Sequence, residues 1–297
     1  MPETDVKTGM AVTPLVTIVV PVRNGATTIA ECVSSLLASQ YDRQQFEIVV
    51  VDNDSSDPTR EILRGFGSEI RVLTERVRGA SAARNHGIRD ARGALIALTD
   101  ADCVVEPGWL SALVSPLEDQ AVGVVGGRIL SREKGNRIEK FGETIHDHRR
   151  AIEIEDQPYV ISMNWASRRE VIQTAGMFDE SLLRGQDVDL AWRIHRSGLR
   201  LVYAPSAIIR HRNEHTLRGL MQEGYIHGLH GVRLRDRHSP STTGGLPRRT
   251  NIRTRLLRDL REIATGGNWL NGALRLLFDA GRVTGELVAV SRHSTRP

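Results

Sequence analysis

Short apolar segments alternate regularly with amphipathic helical segments over residues 16–125. Between the apolar segments, hydrophobic side chains recur at helical spacing, as at Ile29, Cys32, Val33 and Leu36. The predicted strands are 16–21, 46–51, 70–73, 94–98 and 122–125. Strands that alternate with helices are typical of a sheet whose connections cross over its faces. The sequence therefore predicts an α/β fold with a mostly parallel central sheet flanked by helices.

The fourth predicted strand ends on two carboxylates, Asp100 and Asp102. Its own residues are almost all apolar, as expected for a strand that is covered on both faces. The two acids then lie just beyond the carboxyl edge of the sheet, where open α/β folds bind ligands. Oxygen ligands at this place suit Mg²⁺ or Mn²⁺, and such a cation suits the phosphates of a nucleotide. An ordinary acidic surface turn would give the same short pattern, so the choice between a cation site and such a turn depends on the neighbouring segments.

Polar residues also follow the first two strands. Pro21, Arg23 and Asn24 lie at the end of the first strand, and Asp52 and Asp54 at the end of the second. Because parallel strands end at the same edge of a sheet, we expect these groups to converge on one ligand. The two aspartates have the chemistry to accept hydrogen bonds from a base and a ribose.

A basic segment rich in small residues, 76–87, precedes the fourth strand. Gly79 and the alanines after it allow a helix N-terminus to approach a phosphate closely, and Arg84 would neutralise its charge. Tight packing of the alanines against the sheet is an alternative explanation for the same composition.

Composition narrows the class of protein. The chain has 297 residues, 40% of them hydrophobic and 26% charged, with a net charge of +4. Acids interleave with the basic residues over the first two thirds, so no specific nucleic-acid binding is predicted. Two cysteines form neither a disulfide framework nor a zinc site, which favours a cytoplasmic location. Residues 1–14 read as a disordered lead-in, and no segment has the length and apolarity of a membrane span.

The motifs together resemble family 2 glycosyltransferases with the GT-A fold. The segments that carry this resemblance are 19–24, 49–57, Gly79 with 83–87, 99–102, Asn164 with Arg168 and Arg169, 176–180, and 185–190 with Arg193 and Gly198. They extend over residues 15–213. The resemblance implies a GT-A nucleotide-diphospho-sugar transferase fold. It also implies an inverting, metal-dependent transfer from a nucleotide sugar, with UDP-sugars favoured, to a hydroxyl of a glycan, lipid, peptide or small molecule.

The resemblance also implies a role for individual residues. The residues predicted to bind the nucleotide sugar are Pro21, Arg23, Asn24, Asp52, Asp54, Gly79, Arg84 and Asp100. Asp102 and His211 are predicted to hold Mg²⁺ or Mn²⁺, and Asp187 to deprotonate the acceptor hydroxyl. The predicted acceptor contacts are Asn164, Trp165, Gln186 and Asp189. Structural alternatives stay open: Asp187 and Asp189 as acids of a helix N-terminus, Trp165 as core, and His211 as a structural histidine.

Gln186 departs from the family pattern, in which glutamate is common at this position. The change removes a negative charge beside Asp187 and keeps a non-catalytic sugar-nucleotide-binding protein as one alternative. A dinucleotide-dependent oxidoreductase is a second, although residues 23–25 stand where the Gly-x-Gly-x-x-Gly turn would be.

The sequence predicts a glycosyltransferase domain at 15–214 and a helical C-terminal extension at 215–297. Within the domain, 15–128 would bind nucleotide and metal, and 129–214 the acceptor. Helical patterns at 216–232, 252–263 and 269–290 build the extension. Arginines flank the apolar side of the middle segment, so one hypothesis is peripheral membrane contact through 250–297 at the inner face of the membrane. Capping of its own domain, or pairing with a second subunit in a homodimer, is the slightly favoured alternative.

Overall fold

A computed structural model describes residues 15–132, 135–238 and 269–294. Eight strands form one sheet in the order β3-β2-β1-β4-β7-β6-β8-β5. The strands are β1 (Val16–Val22), β2 (Phe46–Asp52), β3 (Arg71–Thr74), β4 (Leu95–Thr99), β5 (Cys103–Val105), β6 (Val122–Ser131), β7 (Asn164–Arg168) and β8 (Arg200–His211). The described helices are α1 (Ile29–Leu37), α2 (Thr59–Arg64), α3 (Ala80–Asp90), α4 (Trp109–Val114), α5 (Arg137–Ile145), α6 (His148–Glu153), α7 (Arg169–Thr174), α8 (Gln186–Arg196), α9 (Leu217–His238) and α10 (Trp269–Ser294).

The first half of the sheet is parallel, as the alternation of strands and helices predicts. Val19 of β1 lies opposite Val49 of β2 on one side and Leu98 of β4 on the other. All five residues of β4 are buried. The carboxyl ends of β1, β2, β3 and β4 therefore share one edge.

The second half of the sheet is mixed, because β7 enters it antiparallel between β4 and β6. Thr99 at the end of β4 pairs with Asn164 at the start of β7. Residues that precede β7 therefore lie at the same edge as residues that follow β4. The short strand β5 is also antiparallel to its neighbour, β8. Neither β5 nor β7 was predicted from the sequence.

Strand β8 continues through Pro205, although a proline ordinarily ends a strand. The pairing with β6 shifts there, from Gly127 opposite Ala204 to Arg128 opposite Ile208. Proline has no N–H to give to a ladder and is tolerated at such irregularities. The strand then runs on to His211, which brings this histidine beside Cys103 at the start of β5.

Two apolar layers cover the faces of the sheet. On one face, Val20 and Val50 pack in a cluster with Leu36 of α1 and Trp109 of α4. On the other face, a cluster joins β1, β2 and β4 to α3, α7 and α8. Helix α3 comes close to the sheet through Gly87, where a Cβ would lie 2.5 Å from a methyl of Val19. This close approach fixes where α3 begins at the carboxyl edge.

The long helices α9 and α10 pack against each other through glycines. A Cβ on Gly224 or Gly228 of α9 would lie about 2 Å from carbonyl oxygens of Phe278 and Arg282, at 2.1 and 1.9 Å. Gly281 and Gly285 of α10 face the carbonyls of Met221 and Tyr225 in the same way, at 2.1 and 2.0 Å. The contacts advance along both helices together, so the two helices are parallel. Small residues four apart allow this close backbone approach.

Several predictions concern residues outside the described ranges: the lead-in 1–14 and the helical segment 252–263. Among the described helices, none combines the length and the apolarity that a bilayer span requires. The peripheral membrane contact and the homodimer stay predictions.

Candidate functional site

The polar strand ends gather along the carboxyl edge of the parallel strands. Asp52 at the end of β2 lies opposite Val22 of β1 and Thr74 of β3. Asp100 and Asp102 directly follow β4, whose Leu98 pairs with Val19 of β1. Pro21 is the penultimate residue of β1. The sheet register therefore places these predicted residues at one edge.

The loop after β1 is tied to the loop after β2. Asn24 has a left-handed φ of 54°, its N–H donates to Ser55 Oγ at 2.9 Å, and its Oδ1 accepts from the N–H of Ser56 at 2.8 Å. The Gly25 N–H donates to Thr59 Oγ1 at 2.8 Å. Asn24 thus shapes the rim of the site, while Arg23 beside it is exposed.

Arg60 covers Asp52, a contact that the sequence did not predict. Asp52 is fully buried, accepts the Ser55 N–H on Oδ1 at 3.2 Å, and forms an ion pair with Arg60 through Oδ2. Arg60 Nη2 also lies 3.7 Å from Oδ1 of Asp54, which is mostly exposed. In this conformation Asp52 is covered by Arg60, whose side chain is 41% exposed, so the guanidinium is the group of this pair that solvent or a ligand can reach.

Gly79 begins α3 with a φ of 138°, a value that favours glycine. Its N–H donates to Asn53 Oδ1 at 2.9 Å, and Asn53 Nδ2 donates to the carbonyl of Val77 at 2.7 Å. Asn53 therefore connects the end of β2 to the N-terminus of α3. A helix N-terminus of this kind favours bound phosphate.

Arg84 of α3 faces the end of β4. Its Nη2 lies 2.6 Å from Asp100 Oδ1, and the residue is only 4% exposed. Its Nε and Nη1 have no hydrogen-bond partner among the described residues. A buried guanidinium nitrogen without a hydrogen-bond partner costs free energy. A bound anion beside Asp100 would accept hydrogen bonds from these two nitrogens and remove that cost.

Asp102 and His211 come together through the pairing of Cys103 with His211. Asp102 Oδ2 lies 3.5 Å from His211 Nε2. Burial acts to raise the pKa of Asp102, but the hydrogen bond and charge of His211 outweigh it and leave this pKa below its usual value. For His211, burial acts to lower the pKa, whereas Asp102 raises it to about 9. Each of the two groups therefore favours the charged form of the other.

Asp102 and His211 fit a hard divalent cation whose remaining ligands come from the substrate. No group of three or more His, Cys, Asp or Glu in the described ranges has metal-binding geometry. Asp102 and His211 offer one carboxylate and one imidazole. Mg²⁺ is commonly held by one or two protein carboxylates together with substrate phosphates. These two residues therefore suit a cation that arrives with a diphosphate.

Asp187 lies at the start of α8, after Gly185 with its left-handed φ of 74°. Its Oδ2 accepts hydrogen bonds from the Ser162 N–H at 2.9 Å and from Ser162 Oγ at 3.1 Å. Ser162 comes two residues before β7 and so lies beside the residues that follow β4. Asp187 is thereby held at the edge that carries Asp100. Gln186 is 9% exposed, and its Oε1 has no partner within the described ranges.

Three predicted acceptor contacts lie in the interior instead. Asn164 is fully buried, accepts from Trp109 Nε1 at 2.8 Å and donates to the carbonyl of Ala207 at 2.9 Å. Trp165 is also fully buried and packs on Phe178. A side chain without exposed surface cannot touch an acceptor, so both serve the core in this conformation.

Asp189 likewise has polar partners within the protein. It is fully buried, with Oδ2 2.9 Å from Arg193 Nε and Oδ1 2.7 Å from His238 Nε2. These contacts attach α8 to the C-terminal end of α9. The sequence motifs did not decide between burial and acceptor contact for Asn164, Trp165 and Asp189. All three are buried in this conformation, and their contact with an acceptor stays a prediction.

The residues that the sequence reasoning missed are partners of predicted ones: Arg60, Ser162 and Asn213. Arg60 contacts Asp52, Ser162 contacts Asp187, and Asn213 Oδ1 lies 2.7 Å from His211 Nδ1. Arg60 is the second residue of α2, and Ser162 lies in a segment without a clear pattern. The sequence held one signal, the position of Asn213 two residues after His211.

Comparison with known proteins places this geometry in a family. The family model described as Glycosyl transferase family 2 matches residues 17–176. Glycosyltransferase AglE of Haloferax volcanii is 30% identical over 200 residues, which are 66% of this chain and 66% of that protein. Pre-mycofactocin glycosyltransferase of Mycobacterium tuberculosis is 31% identical over 236 residues, 76% of this chain but 49% of the relative. The chain thus spans about half to two thirds of these relatives.

Among solved structures, the mannosyltransferase PcManGT from Pyrobaculum calidifontis, in complex with GDP-Man and Mn²⁺, aligns with a TM-score of 0.63. The alignment covers 96% of this chain and 80% of that one, at 22% identity. This similarity supports the fold. The family model matches more than half of the chain, so this chain belongs to glycosyl transferase family 2, and the structural similarity shows that it has the GT-A fold.

Proposed function

We propose that this enzyme transfers a sugar from a nucleoside-diphosphate sugar to a hydroxyl acceptor, with inversion and with a divalent cation. One observation carries the proposal. The pair of Asp102 and His211, the pair of Arg84 and Asp100, and Asp187 all lie along one edge of the sheet. This edge offers groups for a cation, an anion and a proton.

The donor would lie along the ends of β1, β2 and β4. Arg60, held by its ion pair with the buried Asp52, and the exposed Asp54 would provide hydrogen-bonding groups for the base and ribose. Arg84 and the N-terminus of α3 provide positive potential for the diphosphate. Asp102 and His211 would hold Mg²⁺ or Mn²⁺, which when bound stabilises the negative charge of the departing diphosphate.

Asp187 would take the proton of the acceptor hydroxyl as that oxygen attacks the sugar. Ser162 holds one carboxylate oxygen of Asp187 with two hydrogen bonds, which fixes its direction. The bond from the anomeric carbon to the diphosphate breaks, and the bond to the acceptor oxygen forms on the opposite face. One displacement of this kind inverts the anomeric carbon and requires one enzyme base.

A panel of nucleotide sugars, assayed for release of nucleoside diphosphate, identifies the donor. UDP-sugars are the first candidates, because the family resemblance favours them. GDP-mannose belongs beside them, since the structural neighbour was solved with it. With Mn²⁺ or Mg²⁺ present, release of nucleoside diphosphate should occur with one donor and should stop on addition of EDTA.

Asp187→Asn tests the base. A general base contributes about 10² to 10⁴ in rate, so we expect kcat to fall by that factor while donor binding persists. Asp119→Asn is the control, since Asp119 is an exposed residue paired with Arg200 at the opposite edge of the sheet. Normal turnover of Asp187→Asn would refute the assigned base. Nucleotide binding without transfer from any donor would favour a non-catalytic binding protein.

A further inference from the structure

Behind His211, on the side away from Asp102, lies a buried asparagine. Asn213 is 4% exposed, and its Oδ1 is 2.7 Å from His211 Nδ1. The opposite ring nitrogen, Nε2, is the one that faces Asp102. The imidazole is therefore held between an amide and a carboxylate.

The backbone fixes which way the Asn213 amide points. Its Nδ2 is 3.0 Å from the carbonyl oxygen of Glu139 and 3.4 Å from Ser131 Oγ. A carbonyl oxygen can only accept, so the NH₂ group must lie on that side and Oδ1 must face the histidine. His211 Nδ1 must then carry a proton to donate. In the neutral ring, which is the form that binds a metal, the free lone pair is therefore the one on Nε2.

Helix α5 holds the asparagine in this position. A Cβ on Gly142 would lie 2.3 Å from Cγ of Asn213, so glycine alone lets α5 approach so closely. The ring of His146, which ends α5, lies 5.6 Å from that of His211, and its Nδ1 is 3.2 Å from Asn213 Oδ1. His146 Nε2 in turn lies 3.5 Å from Glu223 of α9. The contacts thus continue from the cation site to the C-terminal extension.

We propose that Asn213 is a positioning residue that fixes the Nδ1–H tautomer and the rotamer of His211 and so directs Nε2 to the cation shared with Asp102. This inference rests on the proposed metal-dependent function. Outer partners of metal-bound histidines have this effect in general, and their loss typically costs 10- to 100-fold in metal affinity.

Metal affinity separates positioning from a purely structural role. We would measure Mn²⁺ binding by electron paramagnetic resonance in the presence of UDP or GDP, without any turnover. Asn213→Ala should weaken Mn²⁺ binding about 10- to 100-fold, in the same direction as His211→Ala. Asn213→Asp keeps an oxygen acceptor for His211 Nδ1–H but sets its second oxygen against the Glu139 carbonyl. It should therefore lose thermal stability and yet retain Mn²⁺ affinity close to that of the wild type, because a carboxylate accepts the Nδ1–H at least as strongly as an amide does.

Thr17→Val is the matched control. Thr17 is fully buried, and its hydroxyl donates to Glu47 at 2.7 Å and accepts from the Gly93 N–H at 2.9 Å, near the opposite end of β1. We expect this variant to lose stability and to keep wild-type Mn²⁺ affinity.

The outcomes separate the inference from the proposed function. If His211→Ala weakens Mn²⁺ binding but Asn213→Ala does not, Asn213 has no positioning role and the metal site stands. If both Asn213 variants lose affinity in proportion to stability, the role is structural and the inference fails. If wild type binds no Mn²⁺, or His211→Ala binds it normally, the assigned metal site fails and the inference with it.

Discussion

His148 shows how burial sets the charge of a single residue. Its ring is 1% exposed, with Nδ1 2.7 Å from the carbonyl of Gly127 and Nε2 2.7 Å from the Ile161 N–H. Nδ1 therefore donates and Nε2 accepts, which requires a neutral ring. Burial is the main cause that lowers the pKa of His148 from 6.5 to about 4. The sequence marked neither the burial nor these two partners.

This pKa predicts a loss of stability in acid. Between about pH 6.5 and 4 the unfolded chain holds a proton on His148 that the folded protein lacks. The contribution to stability is complete above pH 6.5 and is lost as the pH falls toward 4, by about 2 kcal/mol at pH 5. His148→Gln keeps a donor and an acceptor but does not titrate. As the pH falls from 7.5 to 5, the unfolding free energy of the wild type should therefore drop by that amount relative to the unfolding free energy of His148→Gln.

Urea unfolding at pH 7.5 and pH 5 measures this difference. The comparison with the variant removes the contributions of other titrating groups, such as His227, whose pKa burial also lowers to about 4. An identical pH dependence of the wild type and His148→Gln would contradict the prediction.

Strand-end residues illustrate what can be predicted at the residue scale. The placement of Asp52, Asp100 and Asp102 at one edge follows from the alternation of strands and helices, which fixes the direction of the strands. The contacts of these carboxylates do not follow from it. Arg60 reaches Asp52 and Arg84 reaches Asp100 because the packing of α2 and α3 against the rest of the fold brings these arginines to the strand ends.

At the scale of elements, the parallel pair of α9 and α10 is the feature with the sharpest steric requirement. Gly228 leaves 1.9 Å between an added Cβ and the carbonyl oxygen of Arg282, whereas Gly231 on the same helix meets only the flexible end of Arg235 at 3.5 Å. Both glycines lie on α9, but only Gly228 faces the backbone of α10, so the two positions form a matched pair for substitution.

Gly228→Ala should therefore separate the two helices and destabilise this pair by about 1 to 3 kcal/mol. Gly231→Ala should be neutral or stabilising by about 0.5 to 1 kcal/mol, because alanine favours a helix more than glycine does. Hydrogen exchange of α9 and α10 measures both effects. Equal protection in the two variants would show that the close approach at Gly228 carries no stability.

Strand β8 marks the limit of local signals at this scale. Proline in the stretch 200–211 predicts an end, and the pattern contains no sign that a register shift absorbs it. The strand continues because β5 and β6 pair with its second half. Only the partners decide this, and they lie far away along the chain.

At the scale of the whole molecule, ligand binding should stabilise the folded state. At a nucleotide concentration of 100 times Kd the gain is about 2.7 kcal/mol, which corresponds to a rise in Tm of about 5 °C for a chain of this size. If the cation arrives with the diphosphate, Mn²⁺ and a nucleoside diphosphate together should give this rise, and EDTA should remove most of it.

Differential scanning fluorimetry measures the shift with UDP and GDP. Asp102→Asn should lose most of the metal-dependent part, and Asp119→Asn should keep it. A shift of the same size with EDTA and with Mn²⁺ would mean that nucleotide binds without the cation, contrary to the proposed role of Asp102.

The sequence by itself determined the alternation of strands and helices, the acids at the strand ends and, through its motifs, the family. These features depend on residues close together in the chain, where periodicity and turn chemistry act. The tertiary structure alone decided that Asn164 and Trp165 are buried, that Ser162 holds Asp187, and that Asn213 supports His211. Those outcomes depend on how distant segments pack, because burial and hydrogen-bond partners exist only once the layers of the fold have come together.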